Sequence, residues 1–351
     1  MALGSIQIKK LIPNDLSEDL WTQYFDHQDR IKRELDPDSP PSSRENAKNF
    51  MLNPNPHYEI FDWIALNEDE TKIIGTGSLY FENQNSPSYH SNKNIGNIYI
   101  SVDKAYRRNK IGTEFLKIIV KVAKENELTT LHGSYSLEPG KEFCNYYKCS
   151  IGSKRAISRL KLIDVDWDMI SSWKSEGQKR AKNVSLERFS EVSEKDIEAY
   201  TKLYTEIEHQ APDYEGEVKS TVVYNPEKRR HIEKLAKENG YDWITIISRE
   251  PNGEISGLTE IWFTSKEPYW IEQELTGVKK EFRSRGIGKW LKAEMLLFIR
   301  DNYPTVEYIQ TGNATANTPM LSINERMGFK KCFDHALFKF EIDKLAPLLR
   351  L

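Results

Sequence analysis

The sequence predicts a mixed α/β (α+β) fold present twice in tandem, each copy a mixed, mostly antiparallel sheet flanked by helices. Three observations predict it. Arg283-Ser-Arg-Gly-Ile-Gly-Lys289 joins a strand-like run, Tyr269 to Val278, to a helix-like run, Trp290 to Arg300. A worn version, Arg107-Arg-Asn-Lys-Ile-Gly112, recurs in the first half between Asn97–Val102 and Glu114–Lys124. Aligning Arg107 with Arg283 sets an offset of 176 residues, about half of the 351-residue chain, which is a duplicated domain and not a solenoid unit of roughly 20–50 residues.

The first half opens with a strand, Ile6 to Leu11, and a helical pattern from Leu16 to Glu34. Asp36-Pro-Asp-Ser-Pro-Pro-Ser43 is a breaker-rich loop. Tyr58–Asn67 and Lys72–Glu82 alternate as strands, and Leu128–Tyr135 and Lys154–Leu162 read as closing strands. Asp164 to Asn183 spaces Trp167 and Trp173 on one helical face and reads as the inter-domain connection. The second half repeats the order, with a strand at Val184–Phe189 and helices at Glu194–Glu208 and Pro226–Asn239. Ala211-Pro-Asp-Tyr214 breaks the first of these, beside the acidic residues Asp213, Glu215 and Glu217. A hairpin turns at Pro251-Asn-Gly253. After the loop helix come a strand, Val306–Thr311, a helix, Pro319–Met327, stopped by Gly328, and a last strand, Phe333–Ile342. The expected organisation is a first domain at 1–163, degenerate in its loop, a connector at 164–183 and a second domain at 184–351.

A net charge of −3 gives no global pull toward nucleic acid or a membrane surface, and no apolar run reaches the ~20 residues of a membrane span. Charged residues at 29% and a mean hydropathy of −0.66 fit well-solvated faces. The first residues, Met1 to Leu11, lack the apolar core of a signal peptide. Cys144, Cys149 and Cys332 cannot all pair, so a cytoplasmic setting is expected. Neither cysteines nor histidines follow a metal template, so no metal is expected.

The loop carries the chemistry. Its glycines let backbone approach a ligand, and the helix start behind it supplies unpaired N–H groups and partial positive charge. Together these cradle a pyrophosphate. Lys110 stands where Gly286 stands in the second copy, which suggests unequal roles for the halves.

With Gln273-Glu-Leu-Thr-Gly-Val278, the loop, Thr311-Gly-Asn-Ala-Thr-Ala-Asn317 and Met320-Leu-Ser-Ile-Asn-Glu-Arg-Met-Gly-Phe329 in order, the second half resembles a GCN5-related N-acetyltransferase (GNAT) domain. The first half resembles the same fold more weakly, and the tandem plan is similar to mycothiol synthase-like proteins. The resemblance implies acetyl-CoA as acyl donor and a small-molecule primary amine as acceptor, by direct attack in a ternary complex. A protein or peptide amine, or acyl-CoA binding without catalysis, are the alternatives. From the duplication a monomer or homodimer is expected, and from the charge no nucleic-acid or membrane partner.

It further implies that Thr276, Gly277 and Val278 pair with the pantetheine arm, and that the Val278 N–H takes the thioester oxygen. Arg283, Ser284, Arg285, Gly286, Ile287, Gly288 and Lys289 would hold the pyrophosphate. Asn317 would bond the cofactor arm, and Asn313 would shape the strand end. Glu260 and Glu274 are the candidate bases, with Glu272 beside them. On a strand Glu272, Glu274, Thr276 and Val278 share one face by the period of two. Asn324 stands where the family often has an acidic tyrosine and would only hydrogen-bond the sulfur. Tyr303, Tyr308 or water would then protonate the thiolate, or it would leave unassisted.

Overall fold

The computed structural model describes residues 6–86, 88–210 and 224–351. In chain order the strands are β1 (Gln7–Leu11), β2 (Tyr58–Leu66), β3 (Ile73–Glu82), β4 (Ile95–Val102), β5 (Thr130–Tyr135), β6 (Ser150–Lys161), β7 (Ser185–Phe189), β8 (Tyr241–Arg249), β9 (Ile255–Thr264), β10 (Trp270–Val278), β11 (Tyr308–Ala314) and β12 (Lys330–Glu341). The α-helices are α1 (Glu18–Leu35), α2 (Arg44–Leu52), α3 (Tyr89–Asn92), α4 (Ile111–Glu125), α5 (Glu138–Tyr146), α6 (Trp167–Arg180), α7 (Ile197–Gln210), α8 (Pro226–Glu238), α9 (Ile287–Asn302), α10 (Thr318–Met327) and α11 (Ile342–Leu349). The break expected at Ala211–Tyr214 and the acidic residues beside it lie outside the described residues.

Two compact units result, and they cross the boundaries expected at 163 and 184. One gathers residues 6–153 and 335–351, the other 154–210 and 224–334. The first unit's sheet runs β1-β2-β3-β4-β5-β12, and the second unit's runs β7-β8-β9-β10-β11-β6. In the first, β1 to β4 are antiparallel, β5 joins β4 in parallel, and the last strand of the chain closes the edge antiparallel to β5. The second repeats this plan, but its closing strand is β6, paired antiparallel to β11 from Arg155↔Ala314 to Lys161↔Tyr308. Each unit therefore takes its sixth strand from the other half of the sequence. Periodicity identifies both strands but not this exchange, because either strand offers the same alternating apolar face.

Each sheet buries an apolar loop helix. α4 presents Ile111, Phe115, Leu116, Ile119, Val120 and Ala123, at helical spacing, to Ile74, Leu79 and Ile98. Phe338, Phe340, Ile342 and Leu345, from the end of the chain, complete that core. α9 sets Ile287, Leu291, Met295 and Ile299 against Ile246, Ile261, Ile271 and Val278. The opposite face of the second sheet is covered by α7, whose Tyr200, Leu203, Tyr204 and Ile207 meet Ile247, Ile255 and Leu258. The sequence reading missed α2, α3, α5 and α11. In α5 Pro139 and Gly140 look like breakers, yet a proline in the first turn has no N–H bond to lose.

Candidate functional site

In the second unit β10 pairs with β11 only from Trp270↔Tyr308 to Gln273↔Thr311. Beyond Gln273 the two parallel strands part. Lys279 N donates to Ser256 O at 2.9 Å, so by alternation the Val278 N–H points to the other edge, into the gap. A free backbone edge thus runs along the end of β10 and into the loop.

That loop is built on two left-handed residues, Ser284 (φ 64°) and Gly286 (φ 83°). Arg283 Nε donates to Val278 O at 3.0 Å and fastens the loop to the strand end. Gly286 is the N-cap of α9 and offers no side-chain acceptor, whereas Ser17, Asp166, Asn225 and Asn317 cap α1, α6, α8 and α10. The first-turn N–H groups of α9, at Ile287, Gly288 and Lys289, are left for a ligand. A Cβ on Gly288 would approach nothing closer than Val278 Cγ2 at 3.7 Å, so the ring of backbone there has room.

Positive charge gathers around it. Arg285 pairs with the buried Glu250 at 2.9 Å, and Arg180, at the end of α6, donates to Ser284 O at 2.6 Å. Lys289 and Arg326 both lie over the Trp173 ring, at 5.3 and 4.9 Å. Sequence reasoning missed Arg180. Its signal was present, a basic residue closing a helix, but nothing local placed that helix end at the loop. Backbone donors, a left-handed glycine and this charge fit a diphosphate-bearing ligand.

The carboxylates are ordered by a β-bulge. Gln273 pairs with Ile261 and Thr276 with Thr259, so Glu274 and Leu275 together face Glu260. The extra residue reverses the alternation. Glu272 stays on the face that carries Glu260 and α7, while Thr276 and Val278 turn to the α9 face. The shared face expected for Glu272, Glu274, Thr276 and Val278 is therefore broken by the bulge. Gly277 now points at α7, where an added Cβ would lie 2.2 Å from Ile207 Cγ2.

Glu260 is fully buried and locked. Its Oε1 accepts from Tyr200 Oη, from Thr245 Oγ1 at 2.6 Å and from Arg229 Nη1 at 3.1 Å. Arg229, itself fully buried, also pairs with Glu233 at 2.9 Å and stacks over Trp243 at 3.6 Å. A carboxylate held this way through Oε1 ties α7 and α8 to the sheet. Glu274 is exposed at the bulge, and its carboxyl is raised by burial of its surroundings and by the nearby Glu260. Glu272 is half-buried; burial pushes its carboxyl up to about 7, against hydrogen bonds from Trp270 Nε1 (2.6 Å) and Gln310 Nε2 (3.1 Å).

Asn324 does not open into the gap. It is 1% exposed, and its Nδ2 donates to Asn313 Oδ1 at 2.6 Å, clamping α10 to β11. Asn317 caps α10, accepting from Met320 N at 3.3 Å. Tyr303 closes the far end of α9, one helix length or about 24 Å from the loop, where it stacks on Phe263. Tyr308 stands at the first β10–β11 pair, at the closed end of the gap.

The first unit repeats the gap and the loop, with an unshifted β3–β4 register in place of the bulge. β4 pairs with β5 only from Ile95 to Asn97, and its loop holds Arg108 (φ 67°) and Lys110 (φ 64°) left-handed, as Ser284 and Gly286 are. Arg107 Nε donates to Val102 O at 3.0 Å, the same fastening as at Arg283. Lys110 caps α4 with no side-chain acceptor.

Residues 15–149 match the acetyltransferase (GNAT) family. The match falls on the first unit, the one whose loop carries Lys110. A tandem GNAT protein from the clavulanic acid biosynthesis pathway, solved without AcCoA, superposes with a TM-score of 0.71 at 17% identity, over 96% of this chain and 99% of that one. A GCN5-related N-acetyltransferase from Sphaerobacter thermophilus gives 0.66 at 13% identity over 96% of each chain. The glucosamine N-acetyltransferase region of a fungal multi-domain GH3 β-N-acetylglucosaminidase gives 0.63 at 13% identity, over 97% of this chain and 38% of that one. No curated protein matches the sequence. Residues 15–149 thus match the acetyltransferase (GNAT) family, and the chain has the fold of tandem GNAT proteins.

Proposed function

We propose that the second unit is an N-acetyltransferase that moves an acetyl group from acetyl-CoA to a primary amine of a small molecule, by direct attack in a ternary complex. The observation that carries this reading is the free edge of β10, which runs from the bulge at Glu274 through the Val278 N–H into the uncapped start of α9. Acetyl-CoA bound there supplies an activated thioester. Thr276, Gly277 and Val278 offer backbone groups to an extended arm, as an added strand would. Arg180, Arg283, Arg285 and Lys289 surround the phosphates.

The Val278 N–H is aimed where the thioester oxygen gains charge; a single donor of this kind is worth about 2.7–4 kcal/mol. Glu272 and Glu274 face the acceptor side. Glu272 is the better base, because a carboxyl near 7 is half-ionised at working pH and holds a proton once it has one. Asn324 keeps a structural part through Asn313, so the thiolate leaves without help from it. Cys144, Cys149 and Cys332 form no disulfide, which fits a cytoplasmic setting.

A second reading concerns the first unit. Matching left-handed residues at Arg108 and Lys110 support an acyl-CoA cradle there too, with the Lys110 side chain adding charge where the second unit has a glycine. Calorimetric titration of acetyl-CoA tests both. The intact chain binds two equivalents on this reading; Gly286→Glu removes the second-unit site and Lys110→Glu the first. An amine screen on the same proteins must lose turnover with Gly286→Glu, and turnover that survives that change overturns the assignment.

A further inference from the structure

The first unit holds a chemistry the second lacks. Ser101 lies on β4, one residue before Val102, and the repeat offset places it on Gly277. In the second unit that position has no side chain, because Ile207 fills the space. In the first unit α1 brings His27 there instead. His27 Nε2 lies 2.7 Å from Ser101 Oγ, and His27 Nδ1 lies 2.7 Å from Asp103 Oδ1. The other oxygen of Asp103 accepts from Arg30 Nε at 2.9 Å and pairs with Lys72 Nζ at 3.3 Å. Ser101 Oγ also meets Thr76 Oγ1 at 2.8 Å.

Burial opposes ionisation of Asp103, but its bond to His27 and the Arg30 charge hold it below the ordinary carboxylate range, so it accepts. In the neutral tautomer of His27 that carries its proton on Nδ1, that nitrogen donates to Asp103, Nε2 accepts from Ser101, and Thr76 donates to Ser101. This is the arrangement of a serine whose proton has a base, and a base that is oriented by a carboxylate. His27, Asp103 and Thr76 are 0, 5 and 4% exposed, so the relay is held rigidly. Ser101 itself is 7% exposed, and Tyr99, two residues back on the same face, hydrogen-bonds its side chain and is 44% exposed.

The reacting geometry is local. Asp103 N donates to Ile74 O at 2.8 Å, so by alternation the Val102 N–H points away from β3, into the gap where β4 and β5 have parted. A carbonyl oxygen on that N–H lies one residue from Ser101 Oγ.

We propose that Ser101, His27 and Asp103 form a nucleophilic site that captures the acyl group of an acyl-CoA in the first unit. It rests on the reading that this unit cradles acyl-CoA. Ser101 Oγ bonds to the acyl carbon, and the carbon–sulfur bond breaks. The hydroxyl proton passes to His27 Nε2 and on to the departing thiolate. The products are an acyl-serine ester and free coenzyme A, with no change of oxidation state. Water then attacks the ester, releasing the carboxylic acid; the water's proton returns through His27 to Ser101. The two units would thus differ in mechanism, covalent in the first and direct in the second.

The full chain is treated with a fluorophosphonate, which reads an activated serine without any cofactor. In parallel it is mixed with acetyl-CoA, quenched in acid and mapped by peptide mass. The expected result is a phosphonyl label and an acetyl ester on Ser101. The ester persists in Gly286→Glu, and both are absent in Ser101→Ala. His27→Gln slows labelling by about 100-fold or more. Should the variants fail to fold, the unaltered chain still decides. An unlabelled Ser101, or a labelled one that gains no acetyl although calorimetry shows the first-unit site filled, overturns the proposal. Calorimetry that finds no first-unit site overturns the cofactor reading, and the label alone then reports on the relay.

Discussion

At the scale of single residues, three carboxylates on one face of the second sheet have been given different environments. Glu260 is buried against Arg229, Glu274 projects from a bulge, and Glu272 sits half-buried under Trp270 and Gln310. A base works ionised. The rate of the second unit should therefore rise with pH through about 7 and level off above it, as Glu272 loses its proton. Glu272→Gln should lower kcat by about 10²–10⁴-fold and abolish that limb of the profile. A limb that persists in the variant would move the role to Glu274. Arg229→Met should act on stability instead, since it leaves the fully buried Glu260 without its cation, at about 3–5 kcal/mol. Thermal melting reads that loss; an unshifted melting temperature would contradict the locked cluster. The residue types of this site were legible in the sequence, but their environments were not. Glu260 and Glu274 read alike on paper, because Arg229 and Tyr200 lie 31 and 60 residues away along the chain.

At the scale of elements, the strand–loop–helix unit was legible because its requirements are local. A left-handed glycine, a basic residue and an apolar helix start fall within a few residues, and the loop forms where they predict. The bulge was not legible, since nothing in Gln273-Glu-Leu-Thr-Gly announces that two residues will oppose one. Its consequence is that Gly277 faces α7. Gly277→Ala should cost about 1–3 kcal/mol by overpacking against Ile207. Ile207→Ala made in the same chain should recover part of it, because the two side chains share one space. Chemical denaturation of the four proteins of that cycle measures the coupling; strict additivity would show that the close approach relaxes without strain.

At the scale of the whole molecule, the exchange of closing strands decides how the chain can be divided. The repeat in the sequence invites a cut near 163, giving two contiguous halves. Such a cut leaves the first half without β12 and α11, which contribute Phe338, Phe340, Ile342, Leu345 and Leu349 to its core. It leaves the second half without β6, whose Leu160 is fully buried and whose register covers all of β11. Truncating a buried Phe or Leu costs about 2–5 kcal/mol, and a domain is stable by only about 5–15. Losing several such side chains and a strand's ladder exceeds that margin. Fragments 1–163 and 164–351 should each lack a cooperative melting transition when expressed alone. Co-expressed, they should associate, because each carries the other's edge strand, and the complex should recover acetyl-CoA binding. Two fragments that melt cooperatively and separately would mean that the strands are interchangeable edges. Association that restores both folding and binding would mean that each unit depends on the strand the other half of the sequence supplies, and not on an unbroken chain.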